Sequence, residues 1–108
     1  MQIKIAARHG HLNEEHQKEI QAKVEKLLHY FGRISMIEVM IDLHESSSIA
    51  VEIKVDAEHK HDFVAREKDN EMKVALDAAI EKIKQQIHRY KDKIQDHRRD
   101  PSHNSNGE

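Results

Sequence analysis

The stretch Ile37-Glu38-Val39-Met40-Ile41-Asp42-Leu43-His44 decides the fold. Ile37, Val39, Ile41 and Leu43 alternate with Glu38, Met40, Asp42 and His44, a period of two held over eight residues. Successive strand side chains point to opposite faces, so this pattern reads as a strand with one buried and one wet face. Ser46-Ser47-Ser48 supplies a turn, and Ile49, Val51, Ile53 and Val55 repeat the alternation against Ala50, Glu52, Lys54 and Asp56. After a polar connection from Ala57 to His61, a shorter strand is expected from Asp62 to Glu67, with Phe63 and Ala65 inward. Three strands joined by short links most simply form an antiparallel meander.

On the N-terminal side, Ile3 and Ile5 alternate with Gln2 and Lys4, a short strand over Gln2 to Ala7. Arg8-His9-Gly10-His11 turns the chain, and Asn13 is placed to cap a helix with Glu14 and Glu15 in its first turn. Ile20, Val24, Leu27, Leu28 and Phe31 make one apolar stripe, and Gly32 stands where a left-handed residue would close the helix. On the C-terminal side, Asp69 or Asn70 can cap a second helix striped by Met72, Leu76, Ala79, Ile80, Ile83, Ile87, Tyr90 and Ile94. Running to about His97, it would be roughly 40 Å long and overhang strands of about 20–30 Å. The tail from Arg99 to Glu108 has no apolar residue and is expected to be disordered. One domain over 1–98 and a tail over 99–108 follow.

The order is β-α-β-β-β-α, an α+β fold. The first helix crosses between parallel strands, and a four-stranded mixed sheet with two helices packed on one face buries every apolar face at once.

With 108 residues the chain is the size of a single domain. Zero cysteines exclude disulfides, thiolate metal sites and a cysteine nucleophile. No apolar run approaches the roughly 18–20 residues that span a bilayer, so a soluble cytoplasmic protein is expected, with no membrane partner. No glycine-rich phosphate loop or supported nucleophile pattern is present, so neither an enzyme, a small-molecule substrate nor a cofactor is expected. The net charge of −2 conceals an asymmetry. Ten acidic residues face four basic ones between Glu38 and Glu71, whereas seven basic face two acidic between Lys82 and Arg99. Steering follows local field more than the sum, so nucleic acid is not excluded.

Four segments together resemble one family: Met1-Gln2-Ile3-Lys4-Ile5; Ala22 through Lys26-Leu27-Leu28-His29-Tyr30-Phe31-Gly32-Arg33-Ile34; Glu71-Met72 through Leu76-Asp77; and Glu81-Lys82-Ile83 through His88-Arg89-Tyr90-Lys91-Asp92-Lys93-Ile94. It is the ribosome hibernation promoting factor and ribosome-associated inhibitor A family, also called sigma-54 modulation proteins. The resemblance covers residues 1–97, and the length matches the family's short form. It implies a double-stranded-RNA-binding-domain-like fold and a translation inhibitor bound to 16S rRNA of the small ribosomal subunit, in the channel of messenger and transfer RNA. The isolated protein is expected to be monomeric.

The residues give that implication a surface. Lys23, Lys26 and Tyr30 lie at i, i+3 and i+7 on the first helix, with Arg33 just beyond it. Lys82, Arg89 and Lys93 lie at i, i+7 and i+11 on the second, with Lys84, His88 and Lys91 beside them. Side by side, the helices would offer ammonium and guanidinium groups to RNA phosphates, positioning the protein without reading bases. The acidic strands would face away from RNA or towards the protein components of the channel. Two positions depart from the family pattern: Lys73 where an aromatic is usual, and Gln85 where Arg is common.

Blander readings compete. A basic helical run is most often a solvated face, and the stripe ending in Tyr90 and Ile94 is core unless its overhang meets a partner, which would make the chain a helix-mediated protein-interaction module or a diverged paralogue with a non-ribosomal partner. His9-Gly10-His11 and His59-Lys60-His61, if extended, would each aim two imidazoles to one side. Closed structural sites want four ligands, so no metal is expected.

Overall fold

The structure, a computed structural model, describes the backbone of residues 2–45 and 47–99 and the side chains of all of these except Lys60 and residues 94–99. Its elements are β1 (Gln2–Arg8), α1 (Glu14–Tyr30), β2 (Ile34–Glu45), β3 (Ser48–Ala57), a 3-10 turn (Glu58–Lys60), β4 (His61–Asp69) and α2 (Met72–Arg99). The strands lie in the order β1-β2-β3-β4. β1 runs parallel to β2, with Ile3 opposite Ile37 and Ile5 opposite Val39, because α1 carries the chain back across the sheet between them. The other pairings are antiparallel. This is the expected β-α-β-β-β-α architecture.

The period-two pattern of the central strands becomes burial directly. Ile37, Val39 and Ile41 of β2 and Val51, Ile53 and Val55 of β3 are fully or almost fully buried, and Phe63 and Ala65 of β4 join them. Ile20, Val24 and Leu27 of α1 and Ala75, Leu76, Ala79, Ile83 and Ile87 of α2 cover the same side. Both helices therefore pack on one sheet face in a single core. Ile3 and Ile5, at the sheet edge, are only half-buried.

The opposite sheet face is a cross-strand lattice of charge. Lys4 lies opposite Glu38 and Glu38 opposite Lys54; Glu52 lies opposite Arg66, and Arg8 opposite Asp42. The acidic strands thus face away from the helices but are interleaved with cations, so this face is mixed rather than anionic.

Several local expectations are corrected. α1 is closed by Phe31, whose N–H donates to the carbonyl of Leu27 from an extended backbone (φ −149°), so Gly32 is not a left-handed cap. Asn13 does cap α1, its side chain accepting from the N–H of His16 at 2.7 Å. β4 extends to His61 and Asp69, both paired to β3. Asp69 accepts from the N–H of Glu71 at 3.0 Å, holding the turn just before α2. The histidine pairs do not sit in extended segments: His9 (φ 63°) and His59 (φ 59°) are left-handed, so the extended geometry that would aim two imidazoles to one side is not present. Ser46 and residues 100–108 lie outside the described residues, while Arg99, expected in the tail, is the last residue of α2.

Candidate nucleic-acid interface

α1 and α2 lie side by side over the sheet, and the cations expected to meet RNA fall on three surfaces. Lys23, Lys26 and Tyr30 line the flank of α1 that faces α2. Lys84, His88 and Lys91 line the flank of α2 that faces α1. Lys82, Arg89 and Lys93 occupy the other flank of α2, above β4, one helical stripe as their spacing requires.

Many of these cations hold the fold together. Lys23 Nζ meets Asp77 Oδ1 of α2 at 2.6 Å, tying the helices. Lys73, the residue replacing an aromatic, does the same a turn away, 3.5 Å from Glu19. Lys82 pairs with Glu67 of β4, whose Oε2 is buried and accepts no hydrogen bond within the described residues, leaving the ammonium as its counterion. Arg33 Nη1 donates to Glu58 at 2.8 Å, and that hydrogen bond with the carboxylate charge raises the guanidinium pKa above its ordinary value. Lys91 Nζ donates to the carbonyl of Tyr30 at 3.2 Å and lies 5.2 Å from the centroid of its ring. A cation at the C-terminal carbonyls of α1 satisfies an orphan acceptor and complements the helix dipole.

Lys26, Lys84, Arg89 and Lys93 form no ion pair with another described residue. Lys26, Arg89 and Lys93 are exposed and Lys84 is half-exposed. Between the helices runs an open cleft of about 510 Å³ lined by Tyr30, Glu81, Lys84, Gln85, His88 and Arg89. Arg89 also reaches a second cleft of about 260 Å³, on the β4 side, together with Lys93, Tyr90 and His61. It is the ridge between the two. Gln85, the other departure, is exposed on the rim of the inter-helix cleft. Tyr90, read as part of an overhang, is instead half-buried against Phe31 and Phe63 at centroid distances of 6.0 and 5.6 Å. The α2 backbone continues nine residues past it to Arg99, and the Ile94 side chain lies outside the described residues.

No group of three or more potential metal ligands is assembled among the described residues. His9 instead meets Asp42 Oδ1 through Nδ1 at 2.9 Å, which holds that carboxyl below its ordinary range. No described helix is long and apolar enough to cross a membrane.

The sequence model for "Sigma 54 modulation protein / S30EA ribosomal protein" matches residues 3–95. The chain belongs to that family. Within it, the chain is 28% identical over 98 residues to the ribosome hibernation promoting factor of Salmonella typhimurium, spanning 90% of this chain and all of the relative. The factor of the same name from Escherichia coli K12 is 26% identical over the same span. The fold is that of a ribosomal subunit interface protein from Coxiella burnetii, with a TM-score of 0.76 at 16% identity over 84% of this chain and 98% of the other. The N-terminal domain of Thermus thermophilus Protein Y superposes with a TM-score of 0.74 at 23% identity over 83% and 99%. The family match covers α1, α2 as far as Gln95, and all the cations described in this site.

The sequence pattern found the cations but not their partners. It weighed His61 only as one of a metal-binding pair, whereas the structure stacks it on Tyr90 with centroids 4.3 Å apart. No sequence signal marks that contact, because it joins the start of β4 to the third turn from the end of α2.

Proposed function

We propose that this chain is a ribosome-associated translation inhibitor, a hibernation factor whose residues 1–98 bind 16S rRNA of the small subunit in the channel of messenger and transfer RNA. It works in the cytoplasm as a monomer and catalyses nothing. Family membership and the names of its relatives support a ribosomal partner. The observation that carries the finer reading is the set of four cations, Lys26, Lys84, Arg89 and Lys93, presented on two adjoining helices with no intramolecular counterion among the described residues. An ammonium that has no protein counterion is available to replace the condensed cations of an RNA backbone, which is the main source of sequence-independent affinity. The remaining cations, Lys23, Arg33, Lys82 and Lys91, set the spacing of the elements that carry those four.

Co-sedimentation with purified small subunits across a salt series tests this. Wild type should pellet at low salt and be lost steeply as salt rises, while the Lys26, Lys84, Arg89, Lys93 to Ala quadruple variant stays in the supernatant. If wild type fails to pellet at low salt, the rRNA reading is wrong, and α2, running nine residues beyond Tyr90, becomes the surface on which to seek a protein partner.

A further inference from the structure

The β4 flank of α2 carries a feature that phosphate binding does not use. His61 is exposed, yet its imidazole is not a loose surface group. It stacks on the Tyr90 ring with centroids 4.3 Å apart and planes 22° from parallel, and Phe63 meets it at 4.8 Å in an edge arrangement. Phe31 in turn braces Tyr90 at 6.0 Å and Phe63 at 6.4 Å. The imidazole is therefore the outermost ring of an aromatic pile footed in the core. Beside it lies the cleft of about 260 Å³, where Arg89 and Lys93, one helical turn apart, supply two cations.

We infer that this cleft is a base-stacking subsite for one unpaired nucleotide of RNA, the base on the imidazole face turned away from Tyr90 and its phosphate on Arg89 and Lys93. This deepens the proposed function and rests on it. Recognition of RNA by proteins relies on unstacked bases laid against aromatic or histidine rings, with cations on the adjoining backbone, and the three ingredients stand together here. The cleft is smaller than the roughly 300–1,000 Å³ of a site for a whole drug-sized ligand, so it suits one planar ring system. An acidic peptide would also be drawn to Arg89 and Lys93, but it has no use for the aromatic platform. A purine covers more of the imidazole face than a pyrimidine does, so adenylate is favoured over uridylate. The phosphate contacts elsewhere on the helices carry no such preference.

The test follows the imidazole C–H signals of His61 by NMR in the full chain, assigned by their absence in His61→Ala. The probes are single-stranded hexamers of adenylate and of uridylate, and inorganic polyphosphate of matched charge. The His61 signals should move upfield with the adenylate hexamer, less with the uridylate, and stay in place with polyphosphate. His61→Ala should weaken adenylate binding about tenfold, the loss of one stacked base, while leaving polyphosphate binding unchanged. His61→Phe, which keeps a flat ring, should restore it. Adenylate affinity equal in wild type and His61→Ala, or His61 signals that respond as strongly to polyphosphate, overturns the subsite. Failure of the wild type to pellet with small subunits overturns the ribosomal reading instead, and the two results are independent.

Discussion

The side-chain amide of Gln86 clasps the backbone of Val64: its Nε2 donates to the Val64 carbonyl at 2.8 Å and its Oε1 accepts from the Val64 N–H at 3.3 Å. β4 is an edge strand, and an unpaired edge is a template for pairing with another chain. One amide on α2 thus does what a fifth strand would do, at the centre of the exposed edge and beside an outward Val64 that is 46% exposed.

Replacing that amide by a group of the same size without hydrogen-bonding atoms tests the clasp. Gln86→Leu should cost about 1–2 kcal/mol, two net hydrogen bonds, and lower Tm by roughly 4–16 °C. Light scattering at raised protein concentration should show aggregation that the wild type resists. An unchanged Tm with no aggregation would mean that water serves the Val64 backbone equally well.

The two glycines near the ends of α1 should respond oppositely to alanine. A Cβ on Gly10 would stand 2.8 Å from Leu43 Cδ1 and 3.1 Å from Leu43 Cβ, so the turn after β1 packs on β2 only because no side chain intervenes. Gly10→Ala should cost about 1–3 kcal/mol, as overpacking does. A Cβ on Gly32 would meet nothing within 4 Å, and its φ lies outside the left-handed region. Gly32→Ala should therefore stabilise by about 0.4–1 kcal/mol through the unfolded chain. Urea midpoints at unchanged m-value decide both.

The contrast between those glycines shows what the sequence discloses. The alternation from Ile37 to Leu43 and the stripe from Ile20 to Phe31 are local periodicities, and they become burial as written because each face has one apolar partner. Gly32 looked like a helix cap by composition, yet the Phe31 N–H already closes α1 onto Leu27. The two extra residues at the end of β4 follow from pairing with Ile49 and Ala50, a tertiary fact. The same holds for the cations. Lys23 and Asp77 are 54 residues apart, and Lys91 and Tyr30 are 61 apart, so no local pattern separates a tethered ammonium from an available one.

Two carboxylates on the outer sheet face should give opposite slopes of stability against pH. Asp56 lies directly opposite Asp62. Its pKa is raised above 3.8 by partial desolvation, then by a hydrogen bond to Asp62 that only the protonated acid makes, then by the charges of Asp62 and Glu38. A raised folded-state pKa means that the native state holds the proton more tightly, so this contribution is present below pH 3.8 and is lost as pH rises through the folded value. Asp42, lowered first by its hydrogen bond with His9, contributes above 3.8 and loses that contribution as pH falls through its own folded value. Asp56→Asn should therefore raise Tm at pH 7 by roughly 2–4 °C, the worth of removing like charges placed opposite each other. The gain should shrink towards pH 4. His9→Ala should leave the acid limb below pH 3.8 shallower. A constant Asp56→Asn gain from pH 7 to pH 4 would show that Asp56 does not titrate as its place opposite Asp62 requires.

Tethered and available cations should separate in their salt dependence. Each phosphate-contacting cation removed lowers the slope of log K against log salt by about 0.7–0.9. The Lys26, Lys84, Arg89, Lys93 to Ala variant should lose about three units of slope on small subunits while its Tm stays near wild type, since no described ion pair is broken. Single changes at Lys23, Arg33 or Lys82 should do the reverse. Each leaves a carboxylate, Asp77, Glu58 or Glu67, without its partner and lowers Tm; the changes at Lys23 and Lys82 cost about 0.2–1 kcal/mol of stability, most for Lys82 because Glu67 Oε2 is buried. Their slopes should change little, because an ammonium already held by a carboxylate displaces few counterions from RNA. Filter binding between about 50 and 200 mM salt, where the effect is steep, distinguishes the classes. If Lys23→Ala lowers the slope as much as Arg89→Ala, then Lys23 must leave Asp77 for a phosphate on binding, and the two helices must part at that bridge.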